Sequence, residues 1–592
     1  MVIAVGSLLT FRAPAAPGES PDSAAQLARQ AAQYNAEVPK TIFELQPFRA
    51  TEVADARDGP SGASLVNLNP HINIWFVLTL DRGGRPEAYH LENPRPDRTH
   101  VHLDPAGGGL RISEAGRDVT CALWSDGRTG RGASDPLAAA MRSGLAYAPL
   151  CEGRLLLRNK VRGAQTTIEQ ASDILRDYVP GGEAIIGFVK GSFYQDKFRD
   201  TGTVGAGQAT ATSETSPDWP LPAAMAATAG RPDVPKYLGI AADRPVAAMG
   251  PGRWYPARGL PGVFVSYMEP GDVAPEILKS YRDRVNALDD VESDALVYLV
   301  AFDLAQFDLG FALGTDHPRI GWSPRPIQAV RDDMLPGPDG VGSLAPLVPT
   351  GMVSPALAGR TVATFAGGFR RQHGAFRYGP FAERNHGSHY GFIEQGAILS
   401  KLQPGLATLF ALDDGTVEMK SWTSQDDALL PRIRQARQNG VPIIEAGGAG
   451  GGIPVPGALV ARWGPGNWSG TAEEKLRSVR AGACLQETPL KRFLLYAYFS
   501  DATPSAMARA FQAYGCRYAM LLDMNALEHT YLAVYPHDSD RRVIEHLVEG
   551  MALVDKKAGG NRVLARFLEV PDDRDFFYLT RRESAQTAGG RP

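Results

Sequence analysis

Residues 492–523 constrain the fold of this chain more than any other stretch. Two apolar runs, "RFLLYAYFS" and "CRYAMLLDM", flank a short amphipathic segment. Neither run alternates polar and apolar residues, so both faces of each strand must be covered by other elements. Between them Thr503 stands as an N-cap and Pro504 at the first helical position. Met507, Ala510, Phe511 and Tyr514 fall on one helical face, and Gly515 stands where a C-cap is expected. The unit reads as strand–helix–strand, with a right-handed crossover if the strands are parallel. Sites in such sheets lie beyond the carboxyl ends of the strands. There "DMNALEH" places Asp523, Asn525, Glu528 and His529, and Asp501 follows the end of the first strand. A solvated turn would show the same residue types, so the run is read either as a site or as a plain strand end.

The chain has 592 residues, 44% hydrophobic and 21% charged, which suits roughly two to four domains with sizeable cores. A formal net charge of −4 without a basic run argues against a nucleic-acid partner. The start, "MVIAVGSLLTFRAPAAP", is an apolar run followed by Ala13-Pro14-Ala15, a small-residue cleavage pattern that lacks the positive start of a signal peptide. It reads as an export signal or short envelope anchor, or else as a strand. The expectation is an exported protein: periplasmic, secreted or anchored. Four cysteines form no CxxC. Cys121 with Cys151 and Cys484 with Cys516 pair in an oxidising compartment, or all four stay buried thiols.

The expected organisation is an export segment and tether over 1–65, a separate smaller α+β domain over 66–201, and a low-complexity linker over 202–235. A connecting segment, 236–294, then leads to the main α+β domain at 295–550 and a carboxy-terminal extension at 551–592. The smaller domain has strands in "INIWFVLTLD", "DVTCALWSDG", "GRLLLRNKV" and "GEAIIGFVKGSFY". Its helix, "TTIEQASDILRDYV", opens on capping-box spacing between Thr166 and Glu169. In the main domain a helix is expected from Ser424 to Gly440, followed by the strand "VPIIE" and the glycine run "EAGGAGGGIPVPG".

Four segments, in order, resemble the phosphodiester glycosidase family, that of the mannose-6-phosphate uncovering enzyme. They are "VATFAGGF" (Val362–Phe369), "HYGFIEQGAI" (His389–Ile398), "RSVRAGACLQETPLKRFLLYAYF" and "TPSAMARAFQAYGCRYAMLLDMN". Arg480 and Gly482 stand where the family has its arginine and glycine. Asp523 stands at the family's aspartate, but "DMNALEH" replaces its glycine-rich end and Ala366 its asparagine. The resemblance implies a mixed-sheet domain over 295–550 and hydrolysis of the bond between a sugar's anomeric carbon and a phosphodiester phosphate.

Such a site needs cationic donors for the phosphate and a carboxylate that activates water or supports an oxocarbenium-like centre. Arg480 is the candidate phosphate ligand, or else a structural partner of Asp523. Asp523 and Glu528 are the candidate carboxylates. His529, His386 and His389 are candidate acid–base or phosphate-binding groups, and Asn525 a further substrate contact. Trp463 and Trp468 in "WGPGNWSG" either stack on a sugar ring or pin their loop from within the core. His386, His389, Glu528 and His529 lack helix-based ligand spacing, so no metal site is assigned and no cofactor is required. His100 and His102 read as an edge strand before a metal pair. There is no GxSxG, HExxH or dinucleotide fingerprint. The expected substrate is a glycosyl phosphodiester of an envelope or extracellular glycoconjugate. The alternative, favoured by "DMNALEH", is a degenerate glycan-binding or structural envelope protein on the same fold.

Overall fold

The computed structural model describes residues 48–55, 61–82, 86–104, 108–124, 135–165, 203–205, 216–227, 233–315, 347–368, 391–400, 402–447, 452–464, 474–538, 541–558 and 562–583, with isolated residues between 170 and 185.

Eight strands and one helix position the site. They are β1 (Val297–Asp303), β2 (Thr361–Ala366), β3 (Phe392–Glu394), β4 (Ile433–Gln438), β5 (Ser478–Glu487), β6 (Arg492–Ala502), β7 (Cys516–Met524), β8 (Phe576–Arg581) and α1 (Pro504–Ala513). The strand–helix–strand unit forms as its caps direct. The Thr503 side chain accepts from the Ala506 amide, Pro504 opens α1, and Gly515 follows its end at φ 65°. Its two strands are not neighbours, however. β5 pairs antiparallel with both β6 and β7, so β6 and β7 run parallel with β5 inserted between them.

These strands are the centre of an eight-stranded sheet, and its alternation explains their wholly apolar sequence. On β6, Leu494, Tyr496 and Tyr498 face one core, while Phe493, Leu495, Ala497 and Phe499 face another. The second core is closed by α1 through Ala506, Met507, Ala510 and Phe511. The helix comes so close to β5 that a Cβ on Gly482 would stand 2.7 Å from Met507 Cε and 2.9 Å from Phe511 Cζ. That approach is why β5 carries glycine there.

The first core lies between this sheet and two five-stranded sheets. One contains β2 and β8, and brings in Ala363, Phe365, Phe577 and Leu579. The other contains β3 and β4. The described molecule is therefore β-rich, built of several antiparallel sheets. The helix expected from Ser424 to Gly440 is a 3-10 helix only over Ser424–Arg432, interrupted by Pro431. The remainder is β4, whose backbone pairs with β3 and with Ala407–Leu412.

The amino-terminal part is also sheet-dominated: a six-stranded sheet, a three-stranded sheet and the helix Pro136–Arg142. The strands expected in "INIWFVLTLD", "DVTCALWSDG" and "GRLLLRNKV" are Trp75–Arg82, Arg117–Ala122 and Leu155–Arg158. The Thr166–Glu169 capping box lies outside the described residues. Of the strand expected at 182–194 only Ile185 is described, and it is helical. His102 takes Glu52 at 2.7 Å, and among the described residues no cluster of three metal-ligating side chains occurs. Both disulfides form, Cys121–Cys151 and Cys484–Cys516.

Residues 216–227, placed by sequence in a linker, lie bonded along the second core. Leu221 accepts from Trp254 Nε1 at 2.8 Å and receives Gln486 Nε2 at 3.1 Å, and Ala224 donates to Ala513 at 2.8 Å. Trp219, packed on Phe264, is the apolar anchor within that low-complexity composition. Among the described residues no helix is long and apolar enough to cross a membrane.

Candidate active site

Four chain segments end together beside the first core. β2 runs out into Gly367 and Gly368, β4 into Asn439, and β7 into Asp523, while Asp572–Asp575 leads into β8. Backbone bonds fix the meeting: Gly367 N donates to Asp575 O at 2.9 Å, and Ala366 lies opposite Phe576. Asn439 Nδ2 donates to Leu521 O at 2.9 Å and also to Leu522 O, tying β4 to β7.

The side chains gathered there are charged and buried. Asp523 is fully buried, with Oδ1 accepting its neighbour Met524's amide at 2.7 Å and Oδ2 paired with Arg574 Nη1 at 3.0 Å. Asp575 accepts Gly314 N at 3.1 Å and lies 3.9 Å from Arg437 Nη2. Asp572 holds Arg566 through two bonds, 2.8 and 3.1 Å, and Arg566 reaches on to the carbonyl of Glu528 at 2.7 Å. The turn after β7 is thereby clamped to the acidic run before β8.

Arg437 is the unusual member. Its guanidinium is wholly buried, 4.1 Å above the Phe392 ring, and Nη1 donates to Gln438 O at 2.6 Å. Among the described residues, Nε and Nη2 have no hydrogen-bond acceptor. Burial pushes the group down to about 10, with Asp575 and Asp523 holding it up. Gly368, at φ 145°, lies against it: a Cβ there would stand 2.8 Å from Nη2. A buried cation with two unmet donors beside a glycine-lined backbone is suited to an anion that supplies the missing acceptors.

The sequence-expected residues divide around this cluster. Asp523 is in it. Arg480 is not: on β5 it lies between Val479 and Ala481 of the first core, so its side chain points to the α1 side. It is spent on structure there, donating to Ala502 O at 2.7 Å and Leu476 O at 2.8 Å. Burial pushes it down to about 10, opposed by Glu292 and Asp501. The arginine that pairs Asp523 is Arg574.

Asn525 takes φ 83°, the left-handed conformation that glycine favours, and its amide donates to Val479 O at 2.7 Å. His529 Nδ1 closes the same turn on Met524 O at 2.7 Å, and Glu528 is buried within it. Trp463 is fully buried against Val460 and α1, a core residue instead of a sugar platform. His386, His389 and Trp468 lie outside the described residues.

Sequence reading missed Arg437, Asn439, Arg574 and Asp575. The first two sat in the segment expected to be helical. The last two were assigned to an extension, although "DDRD" directly before the apolar "FFYLT" repeats the pattern of charge at a strand end.

A separate surface cleft of about 550 Å³ lies among Leu304, Asp414, Lys491, Arg492 and Arg582. It adjoins the Glu487 end of β5, about 23 Å along the strand from Arg480. Its cations are matched: Lys491 by Asp303, Arg492 by Glu418, Arg582 by Asp308.

No family model matches the chain, and no curated protein matches it. Among solved structures, it is similar to the catalytic domain of zebrafish N-acetylglucosamine-1-phosphodiester alpha-N-acetylglucosaminidase, auto-inhibited by its pro-peptide. That match has 11% identity and a TM-score of 0.28, over 55% of this chain and 85% of that one. A Burkholderia pseudomallei protein described as exported matches at 12% identity and a TM-score of 0.17, over 48% of this chain and 74% of that one. Both are weak structural resemblances, the first to the phosphodiester glycosidase fold.

Proposed function

We propose that the chain hydrolyses a glycosyl phosphodiester at the Asp523–Arg437 cluster, releasing the sugar and a phosphomonoester. The observation that carries this reading is Arg437, a buried guanidinium whose Nε and Nη2 lack acceptors among the described residues. Two phosphate oxygens would satisfy both donors. Asp523, its carboxylate held by Arg574, would supply the negative charge that stabilises an oxocarbenium-like anomeric centre. Water oxygen bonds to the anomeric carbon, the carbon–oxygen bond to phosphate breaks, and the phosphate leaves with the electron pair. The water proton passes to Asp575 and then to solvent. His386, His389 and Trp468 remain candidates for sugar and phosphate contacts, as does Asn525. Two disulfides suit an exported protein acting on an extracellular or envelope glycoconjugate. No step requires a cofactor.

A second reading has its own support. The Asp523–Arg574 pair neutralises the carboxylate, which favours a protein that binds the phosphodiester without cleaving it. A panel of α- and β-linked sugar 1-phosphate methyl diesters separates the two. Phosphorus NMR should detect methyl phosphate with wild type and none with Asp523→Asn. Binding without release by wild type establishes the second reading, and absence of both binding and release overturns each.

A further inference from the structure

The amino-terminal sheets end on the candidate site. From that side, Arg158 is 3% exposed and directs its guanidinium across the boundary. Nη1 holds Glu92 at 2.7 Å, Nε reaches Val348 O at 3.1 Å, and Nη2 meets Glu394 Oε1 at 3.3 Å. The guanidinium is stacked 4.3 Å from the Trp75 ring. Glu394, on β3 two residues beyond the Phe392 that underlies Arg437, is itself buried, and its Oε2 accepts Leu313 N at 3.0 Å. The next amide, Gly314 N, is the donor to Asp575 Oδ1. Two consecutive backbone amides thus bind two buried carboxylates, one tied to Arg158 and the other facing Arg437.

The contact continues beyond Arg158. Ala164 N donates to Pro571 O at 2.7 Å, and Gln165 Nε2 donates to Asp573 Oδ2 at 2.8 Å. Gly163 lies so close that a Cβ would stand 2.7 Å from the Asp573 amide nitrogen. Gly314 is pressed on the same run from the other side, its Cβ position 2.2 Å from the Asp573 carbonyl carbon. Residues 163–165 and 313–314 together grip the backbone that presents Arg574 and Asp575.

We infer that the amino-terminal sheets are a working part of the site, with Arg158 and Glu394 as positioning residues that set Asp575 through the Leu313–Gly314 backbone. The inference rests on the reading of the Asp575–Arg437 cluster as the site. It goes beyond that reading in giving residues before 166 a role in the chemistry of the later domain. Burial pushes Glu394 up to about 7, with Arg158 opposing and Glu92 adding to the rise. Among the described residues, Arg158, Glu92 and Tyr147 from the amino-terminal sheets and Tyr578 from β8 are titratable groups around it, with His90 edge-on to Trp75 and feeling the charge of Arg158. Protonation of Glu394 would remove one of the two carboxylate charges that Arg158 meets, leaving Glu92, so the setting of Asp575 should loosen as pH falls through about 7.

Hydrogen exchange on the full-length protein tests this without substrate. In wild type, peptides covering 311–315 and 572–576 should lose protection, after correction for intrinsic rates, as pH falls from 8 to 6. In Glu394→Gln that pH dependence should vanish. In Arg158→Lys, which keeps the charge but not the fork, the transition should move to higher pH by about one unit. If hydrolysis is found, its acid limb should follow the same order while KM changes less than kcat. Unchanged, pH-independent protection of 572–576 in folded wild type and both variants overturns the inference. Exchange that behaves as expected while no diester is bound or cleaved fails the proposed function and leaves the coupling standing.

Discussion

Arg437→Met separates a binding cation from a structural one, because the two roles have opposite consequences for stability. Burial pushes the guanidinium down from its ordinary value to about 10, a charge penalty on the order of 3 kcal/mol that methionine would remove. Against this stand the Nη1 bond to Gln438 O at 2.6 Å and the Phe392 contact at 4.1 Å. Their loss costs about 1–3 kcal/mol for the bond and about 1–2 kcal/mol for the ring contact. A methionine sulfur over the same ring recovers part of the latter. The terms nearly cancel, so the variant should lie within about 1 kcal/mol of wild type in urea unfolding at unchanged m. Phosphomonoester affinity should meanwhile fall roughly a hundredfold, the worth of two charge-assisted hydrogen bonds. A loss of 3 kcal/mol or more, the expectation for breaking a balanced buried pair, would show that Arg437 is a strut. Unchanged phosphomonoester affinity would refute its role as the anion ligand.

Other outcomes follow from the same geometry. His90 is held well below its usual value by burial and Arg158, so the unfolded chain binds the extra proton and His90 costs stability as pH drops below about 6.5. Glu394 is raised to about 7 and acts in the opposite sense, adding stability as pH falls from about 7 towards 4.5. Relative to wild type, Glu394→Gln should therefore weaken and His90→Asn strengthen with acidification, each by about 1.4 kcal/mol per pH unit in denaturant titrations. Removing the Cys484–Cys516 bridge with a double alanine variant should cost about 3–4 kcal/mol for a sequence separation of 32, read as a lower Tm. A Tm unchanged from wild type would contradict the bond. Arg480→Lys should lose stability by leaving Ala502 O or Leu476 O unmet, while KM stays within about twofold; a large KM change alone would return Arg480 to the phosphate.

The legible part of the fold was local. Thr503, Pro504 and Gly515 mark the ends of α1 because capping depends on residues within one turn. The wholly apolar "RFLLYAYFS" and "CRYAMLLDM" announce strands covered on both faces. Asp523 could be placed at the mouth of the sheet for the same reason, as the first charge after an apolar run. The segment around Arg437 misled because "IRQARQ" carries no clear period. Its strand character comes from pairing with β3 and with Ala407–Leu412, partners distant in sequence.

The choice of partners belonged to the tertiary structure. Whether Arg480 or Arg574 pairs Asp523 depends on which face of β5 an arginine leaves, and a register fixed by neighbouring strands decides that. The same holds for Trp463, an indole equally able to stack on a ligand or fill a core, which the packing of α1 consigned to the core. By itself the sequence determined covered strands, a capped helix and an aspartate at a strand end. Only the fold joined that aspartate to Arg574, Arg437 and Asp575, and set the amino-terminal Arg158 behind them, because buried charges find counter-charges across space and not along the chain.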